Sequence, residues 1–253
     1  MFGQTIQSAW FFDSSVHLEA VSRLLYLVDS HEPFGVVCGP DGSGRTRVLS
    51  KLREELQRIG TVVVSLNLAG MDEESVLWQL ANCVGSIVRS GMKRYEVLLA
   101  LRDELIGRGQ CGVQTVIMLD DMHRTAGDMN PLLRLLMTLN SQCQGLLTVI
   151  VASDTHLPIE TEEHVLVRVS LSVLDTAESS DFVRSLARRH FIGGSALDES
   201  AVRAVSEAAQ GNAAGMARVC ELLRVVHEAS PETRITGDTV RAVLDELAPR
   251  AVA

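Results

Sequence analysis

The residues of this chain whose types and spacing could do chemistry begin with a glycine-rich segment, GPDGSGRT, at residues 39–46. It follows the apolar run FGVVC at residues 34–38 and precedes VLSKLREELQRIG, which has the apolar spacing of a helix. A strand, a glycine loop and a helix in that order turn a G-x-x-x-x-G-[KR]-[ST] string into a phosphate-binding loop. Its backbone N–H groups point inward, and the helix adds the positive end of its dipole. The alternative is a glycine turn that only joins a strand to a helix.

The loop and the start of its helix are predicted to bind a nucleoside triphosphate, ATP, as a cofactor. The predicted contacts are Gly39, Pro40, Asp41, Gly42, Ser43, Gly44, Arg45, Thr46 and Arg47. Thr46 is placed to offer its hydroxyl to Mg²⁺, and Arg45 stands where the motif has lysine. Arginine keeps the positive charge, but its planar fork is bulkier and directs its donors differently. We therefore expect Arg45 to contact the β- and γ-phosphates while supporting only slow catalysis.

A second motif, VIMLDD, lies at residues 116–121. Four apolar residues followed by an acid is the Walker B pattern, in which Asp120 would hold Mg²⁺ opposite Thr46. Asp121 is predicted to be catalytic and to position the attacking water. Hydrolysing relatives usually have glutamate there. Aspartate is one methylene shorter, so its carboxylate reaches about 1.5 Å less toward the attacking water. Read alone, an apolar strand that ends in two acids is also an ordinary strand end.

Composition and charge narrow the class of protein. The chain has 253 residues, 46% of them hydrophobic but only 4% aromatic, and a formal net charge of −9. This acidic balance argues against a broad basic surface for nonspecific nucleic-acid binding, although a local basic patch remains open. Five cysteines without paired spacing indicate reduced thiols. We expect a cytoplasmic protein, because the first residues lack the features of a signal peptide and no apolar run is long enough to span a bilayer.

Apolar runs of strand length alternate with amphipathic segments up to about residue 172, which predicts an α/β fold with a parallel sheet flanked by helices. Helices are expected at 14–29, 45–59, 73–89, 94–108 and 131–141. Strands are expected within 34–38, 61–68, 114–123, 146–154 and 167–171. Four further helices, at 177–191, 198–209, 213–229 and 236–247, follow without another strand. These patterns predict a P-loop nucleotide-binding domain at 1–172 and a small, all-helical lid domain at 173–253.

The chain resembles AAA+ ATPases of the general secretion pathway protein A (ExeA-like) type, a group also similar to transposition ATPases of the TnsC and MuB kind. The aromatic opening WFFDSSVHLEAVSRLLYLV, the two motifs above, the strand LLTVIVASD and the segment GNAAGMARVCELL carry the resemblance, which covers about residues 8–247. It implies an α/β nucleotide domain with a helical lid. It also implies assembly into a homo-oligomeric ring or filament with ATP bound between subunits, and a protein partner of unknown identity. DNA is a possible but less favoured partner.

Departures from the family pattern cluster where hydrolysis would occur. The family's sensor-2 arginines would fall at Ala214 or Gly215, both uncharged, and Arg218 comes one turn later. Arg168 is the candidate for the arginine finger, although an ordinary arginine on a surface strand is the favoured interpretation. Together with Arg45, these departures predict slow turnover or none.

Three further features have a functional and a plain structural interpretation. At the end of LLTVIVASD, Ser153 or Asp154 could sense the γ-phosphate or simply end a strand. The aromatic residues at 10–12 could line an adenine pocket or pack the N-terminal segment. The basic cluster at 184–190 could contact DNA or form a solvated helix face.

Overall fold

The computed structural model describes residues 10–154, 167–190, 197–229 and 234–247. The chain forms two compact units. The first comprises residues up to Gly39 and from Arg45 to Leu171, and the second comprises Pro40–Gly44 together with the residues from Ser172 onward. The predicted division into domains 1–172 and 173–253 stays a prediction.

The first unit is built on a five-stranded parallel sheet. Its strands are β1 (Phe34–Cys38), β2 (Val62–Asn67), β3 (Thr115–Asp120), β4 (Leu147–Ser153) and β5 (Val167–Ser170). They lie in the order β2-β3-β4-β1-β5, and every neighbouring pair is parallel. The carboxyl ends of all five strands therefore meet at one edge, which is where ligands bind in open α/β sheets.

In the part of this unit that the structure describes, five α-helices cover the two faces of the sheet. They are α1 (Ser15–Asp29), α2 (Arg45–Arg58), α3 (Glu73–Val84), α4 (Arg94–Gln110) and α5 (Asn130–Gln142). Alternate residues of each strand enter different cores, as the two-residue period of a strand requires. In β3, for example, Ile117 packs with α3, α4 and α5, whereas Met118 packs with α1 and α2. The unit therefore has three layers, α/β/α, with an aliphatic core on each side of the sheet.

Local capping determines where several of these helices begin and end. Ser14 caps α1, since its side chain accepts a hydrogen bond from the His17 N–H. The prediction of a helix over residues 73–89 is wrong at its end: α3 stops at Val84 because Gly85 adopts the left-handed conformation of a C-cap. Helix α4 continues two residues beyond its predicted end, to Gln110.

Within its described residues, the second unit contains four helices, α6 (Thr176–His190), α7 (Glu199–Ala209), α8 (Ala213–Ala229) and α9 (Gly237–Leu247). Some of their apolar side chains are fully buried, namely Val183, Val205, Met216, Leu223 and Val240. A parallel bridge joins Leu197 to Ile235. The predicted α/β class with a C-terminal group of helices is thus confirmed. Within the described residues, no helix is both long enough and apolar enough to cross a bilayer.

Candidate functional site

The glycine loop leaves the end of β1 and enters α2 without an intervening residue of regular structure. Gly39 is buried after the last strand residue, and α2 begins at Arg45. Gly42 and Gly44 have φ angles of +80° and +98°, a region that residues with a Cβ adopt at a cost. The Ser43 N–H donates to the Pro40 carbonyl oxygen over 3.1 Å, which closes a tight turn. The predicted strand–loop–helix geometry is present.

Thr46 and Asp120 lie together in the first unit although 74 residues separate them in sequence. The Thr46 hydroxyl donates to Asp120 Oδ2 over 2.6 Å. Asp120 ends β3 and is only 6% exposed, and its Oδ1 accepts a hydrogen bond from the Asp121 N–H over 2.9 Å. A hydroxyl next to a carboxylate at the start of a helix is a pair of hard oxygen ligands suited to Mg²⁺, which keeps several waters when it binds. The donor set therefore fits the predicted metal.

Arg45 turns back toward the loop and the Walker B strand. Its side chain is 6% exposed, and Nη1 donates to the Gly39 carbonyl oxygen. Nη2 lies 3.7 Å from Asp121 Oδ1, which makes an ion pair across the site. The guanidinium therefore contacts both the loop and the acid predicted to position water.

Asn67 also contacts Asp121, and the sequence reasoning missed it. Its Nδ2 donates to Asp121 Oδ2 over 2.8 Å, while its own Oδ1 accepts from the Ala69 N–H over 2.9 Å. Asn67 ends β2 opposite Asp120 in the strand register. Asp121 is thus held on one oxygen by Asn67 and on the other by Arg45, in a left-handed backbone conformation with φ of 55°.

The other predicted loop contacts differ in exposure. Pro40 and Asp41 are exposed, Ser43 is buried, and Arg47 is exposed in the first turn of α2. Their predicted roles toward a nucleotide stay predictions. In the described parts of the chain, no group of three or more His, Cys, Asp or Glu side chains could hold a metal ion.

The candidates for trans-acting and sensor arginines are exposed. Arg168 lies on the edge strand β5, where it lines an open surface cleft with Arg23 and Tyr26. Arg218 is exposed on α8. Ala214 is also exposed, in the first turn of the same helix. These positions are compatible with ordinary surface residues.

At the end of β4, Ser153 is fully buried and lies opposite Cys38 in the register. Phe11 packs against the core beneath α1, and its ring meets His17 edge-on with centroids 6.1 Å apart. In the second unit, Arg184 pairs with Glu199 over 2.8 Å. Phe11 thus packs within the fold, whereas the ion pair of Arg184 lies at the surface, and both interpretations of the basic cluster stay predictions.

The sequence model of a family described as AAA domain matches residues 28–158, just over half of the 253 residues. The chain belongs to this AAA domain family. The match contains both the glycine loop and the Walker B strand, so the residues that the structure brings together in the first unit lie inside the matched range. A search of the curated proteins finds no match.

Solved structures similar to this AAA domain protein share its fold at low sequence identity. Cdc6p from Pyrobaculum aerophilum has a TM-score of 0.77 and 16% identity, with 94% of this chain and 69% of that chain covered. The ORC1 protein from Aeropyrum pernix, solved in complex with DNA, has a TM-score of 0.68 and 18% identity, with 91% and 65% covered. The RuvB Holliday junction branch migration motor from Thermotoga maritima has a TM-score of 0.61 and 15% identity, with 91% and 69% covered.

At such low identity, the structural likeness shows the AAA+ P-loop fold and nothing finer. The chain spans only 65 to 69% of the length of these three structures, so each neighbour has further regions with no counterpart in the match.

Proposed function

We propose that this protein binds ATP with Mg²⁺ at the loop Gly39–Thr46 and uses the bound and unbound states to control its assembly or a partner. The observation that carries the proposal is the 2.6 Å hydrogen bond between Thr46 and Asp120, which joins the two motifs at the carboxyl edge of the sheet. Mg²⁺ held by these two oxygens would neutralise phosphate charge. Membership of the AAA domain family supports the same ligand.

The binding experiment is a titration with fluorescent ATP and GTP analogues, with and without Mg²⁺. Thr46→Ala removes one of the two predicted metal ligands, so we expect the Mg²⁺-dependent gain in ATP affinity to fall by about tenfold or more. Thr138→Ala is the matched control, because Thr138 is exposed on α5 and its hydroxyl donates to the Arg134 carbonyl oxygen of its own helix. Equal Mg²⁺ dependence in the two variants would contradict the proposal.

We propose further that hydrolysis is slow. Asp121 would hold the attacking water, yet its carboxylate is paired with the Arg45 guanidinium. Steady-state phosphate release is expected to be low in the wild type and to rise at least tenfold in Arg45→Lys. Lysine is less bulky than arginine, and its ammonium group can stay close to the phosphate charge as that charge shifts in the transition state. If neither protein releases phosphate while both bind ATP, the protein is an ATP-bound scaffold, in which the nucleotide stabilises the folded state.

Asn67 gives a separate test of the role of Asp121. Asn67→Ala removes the donor that orients the carboxylate, so in the Arg45→Lys background we expect a lower maximal rate of phosphate release with an unchanged affinity for ATP. A change in affinity with no change in rate would place Asn67 in ground-state binding instead.

The resemblance to secretion and transposition ATPases supports a role in which assembly of copies of this chain, or a protein partner, responds to ATP. DNA is the alternative partner, because similar structures include the Aeropyrum ORC1 protein in complex with DNA and a Drosophila ORC bound to DNA. The net charge of −9 disfavours it. Retention on DNA that falls steeply between about 50 and 200 mM salt would support the DNA-binding role, and no retention at low salt would refute it.

A further inference from the structure

The crown of the glycine loop, defined here as Pro40–Gly44, belongs to the second unit and contacts the segment that starts α8. Asn212 Nδ2 donates to the Asp41 carbonyl oxygen over 2.7 Å. The Ala214 N–H donates to the Gly42 carbonyl oxygen over 3.4 Å. Two consecutive carbonyl groups of the crown thus face Asn212 and its neighbours.

The contact is close enough to restrict the loop sequence. A Cβ on Gly42 would lie 2.2 Å from Asn212 Oδ1, which is much shorter than a van der Waals contact. Gly42 therefore meets two demands at once, its φ of +80° and the approach of the Asn212 amide.

Asn212 is itself fixed from its other side. Its Oδ1 accepts a hydrogen bond from the Gly215 N–H over 2.9 Å, which is the N-cap interaction of α8. One planar amide therefore bridges the first turn of a 17-residue helix and the loop crown. Because helix α8 fixes the Asn212 amide, the hydrogen bond from this amide fixes the Asp41 carbonyl group.

Anchoring a carbonyl also orients the next amide. In a trans peptide the C=O and the following N–H point in opposite directions. No cis peptide is present in the described residues, so the Gly42 N–H points away from Asn212 when the Asp41 carbonyl points toward it. In an anion-binding loop, this peptide must turn its carbonyl away from the anion and its N–H toward it.

We propose that Asn212 is a positioning residue that holds the loop crown in the orientation that binds a polyphosphate chain. The inference rests on the proposed nucleotide binding and names the part of the ligand that Asn212 affects. Because Asn212 acts through backbone amides, its effect is on the phosphates and is independent of the base and ribose. Binding of ATP and of inorganic tripolyphosphate should therefore change together.

The test compares two substitutions that separate the helix cap from the loop contact. Asn212→Ser keeps a neutral oxygen that can accept from the Gly215 N–H but lacks the amide that reaches Asp41. Asn212→Ala loses both interactions. We measure the thermal midpoint without ligand and the Kd for ATP and for inorganic tripolyphosphate. The serine variant should keep nearly the wild-type midpoint and bind both ligands about fivefold more weakly.

A cap elsewhere in the same unit controls for lost stability. Asp198 caps α7 by accepting a hydrogen bond from the Ala201 N–H over 2.8 Å. Asp198→Ala should lower the thermal midpoint as Asn212→Ala does, but leave both Kd values unchanged.

Each outcome bears on one claim. If the wild type binds neither ligand, the proposed nucleotide binding fails, and this inference with it. If the wild type binds but Asn212→Ser binds both ligands as tightly, only the inference fails. A loss confined to ATP would also overturn it, since the effect would then involve the base or ribose. Equal weakening by Asp198→Ala would reduce Asn212 to a stabilising cap.

Discussion

Replacing Arg45 with lysine is expected to lower the stability of the ligand-free protein and to raise its affinity for ATP. The Arg45 side chain is buried, donates to the Gly39 carbonyl oxygen and pairs with Asp121 at 3.7 Å. Lysine can replace one of these contacts but not both, because it lacks the planar fork. A hydrogen bond to a charged group contributes about 1.5–3 kcal/mol, so we expect a net loss of about 1–2 kcal/mol.

The same contacts must be released before the side chain at position 45 can turn to a phosphate. If they compete with ATP, the free energy lost from the empty protein is recovered on binding, which corresponds to an affinity about 5–30-fold higher. In a domain of this size, each kcal/mol shifts the thermal midpoint by about 2–4 °C, so the midpoint without nucleotide should fall by about 2–8 °C.

Thermal unfolding without nucleotide and calorimetric titration with ATP and Mg²⁺ measure the two effects of Arg45→Lys on the same samples. Arg58→Lys is the matched control: it makes the same chemical change on α2, but at a side chain that is 64% exposed and pairs with Glu55 of the same helix. It should change neither quantity measurably. A variant at position 45 that loses stability yet binds ATP no more tightly than the wild type would refute the competition argument.

Two more predictions concern packing and burial. Gly109→Ala should destabilise the protein by about 1–3 kcal/mol, because its Cβ would meet the backbone of Cys143 at 2.6 Å, whereas Gly107→Ala on the same helix meets nothing within 4 Å and should stabilise it by about 0.5–1 kcal/mol in chemical denaturation. Burial raises the pKa of the Cys220 thiol to about 12, so iodoacetamide at pH 8.5 should label the exposed Cys83 in the native protein and reach Cys220 only after unfolding, as read by mass spectrometry. Similar behaviour of the two glycine variants, or native labelling at residue 220, would contradict the packing described above.

The sheet could be predicted from sequence because its strands are short apolar runs with clear boundaries. Strand β1 is predicted residue for residue, since Pro33 and Gly39 flank an unbroken apolar segment. The end of α3 could not be predicted as well. Its apolar spacing continues past Gly85, and only the tertiary structure shows that this glycine, rather than Gly91, ends the helix.

The site was predictable where a motif fixes residue types and not where contacts depend on the fold. Thr46 and Asp120 stand at motif positions, and the structure brings them together. Asn67 had a usable signal, because a polar residue at the end of a parallel strand reaches the same edge as the Walker B acids. The contact of Asn212 with Asp41 had none, since 171 residues separate the two and the bond depends on where α8 begins.

The left-handed backbone at Asp121 narrows the set of side chains that this position accepts. With φ of 55° and ψ of 39°, most residues there would pay about 1–2 kcal/mol, while aspartate and asparagine are several-fold enriched in such conformations. The backbone conformation at this position thus favours aspartate over the longer glutamate. An Asp121→Glu substitution would lengthen the side chain, but glutamate adopts the left-handed backbone conformation less readily than aspartate. The longer reach of the carboxylate would therefore be offset by backbone strain at this turn.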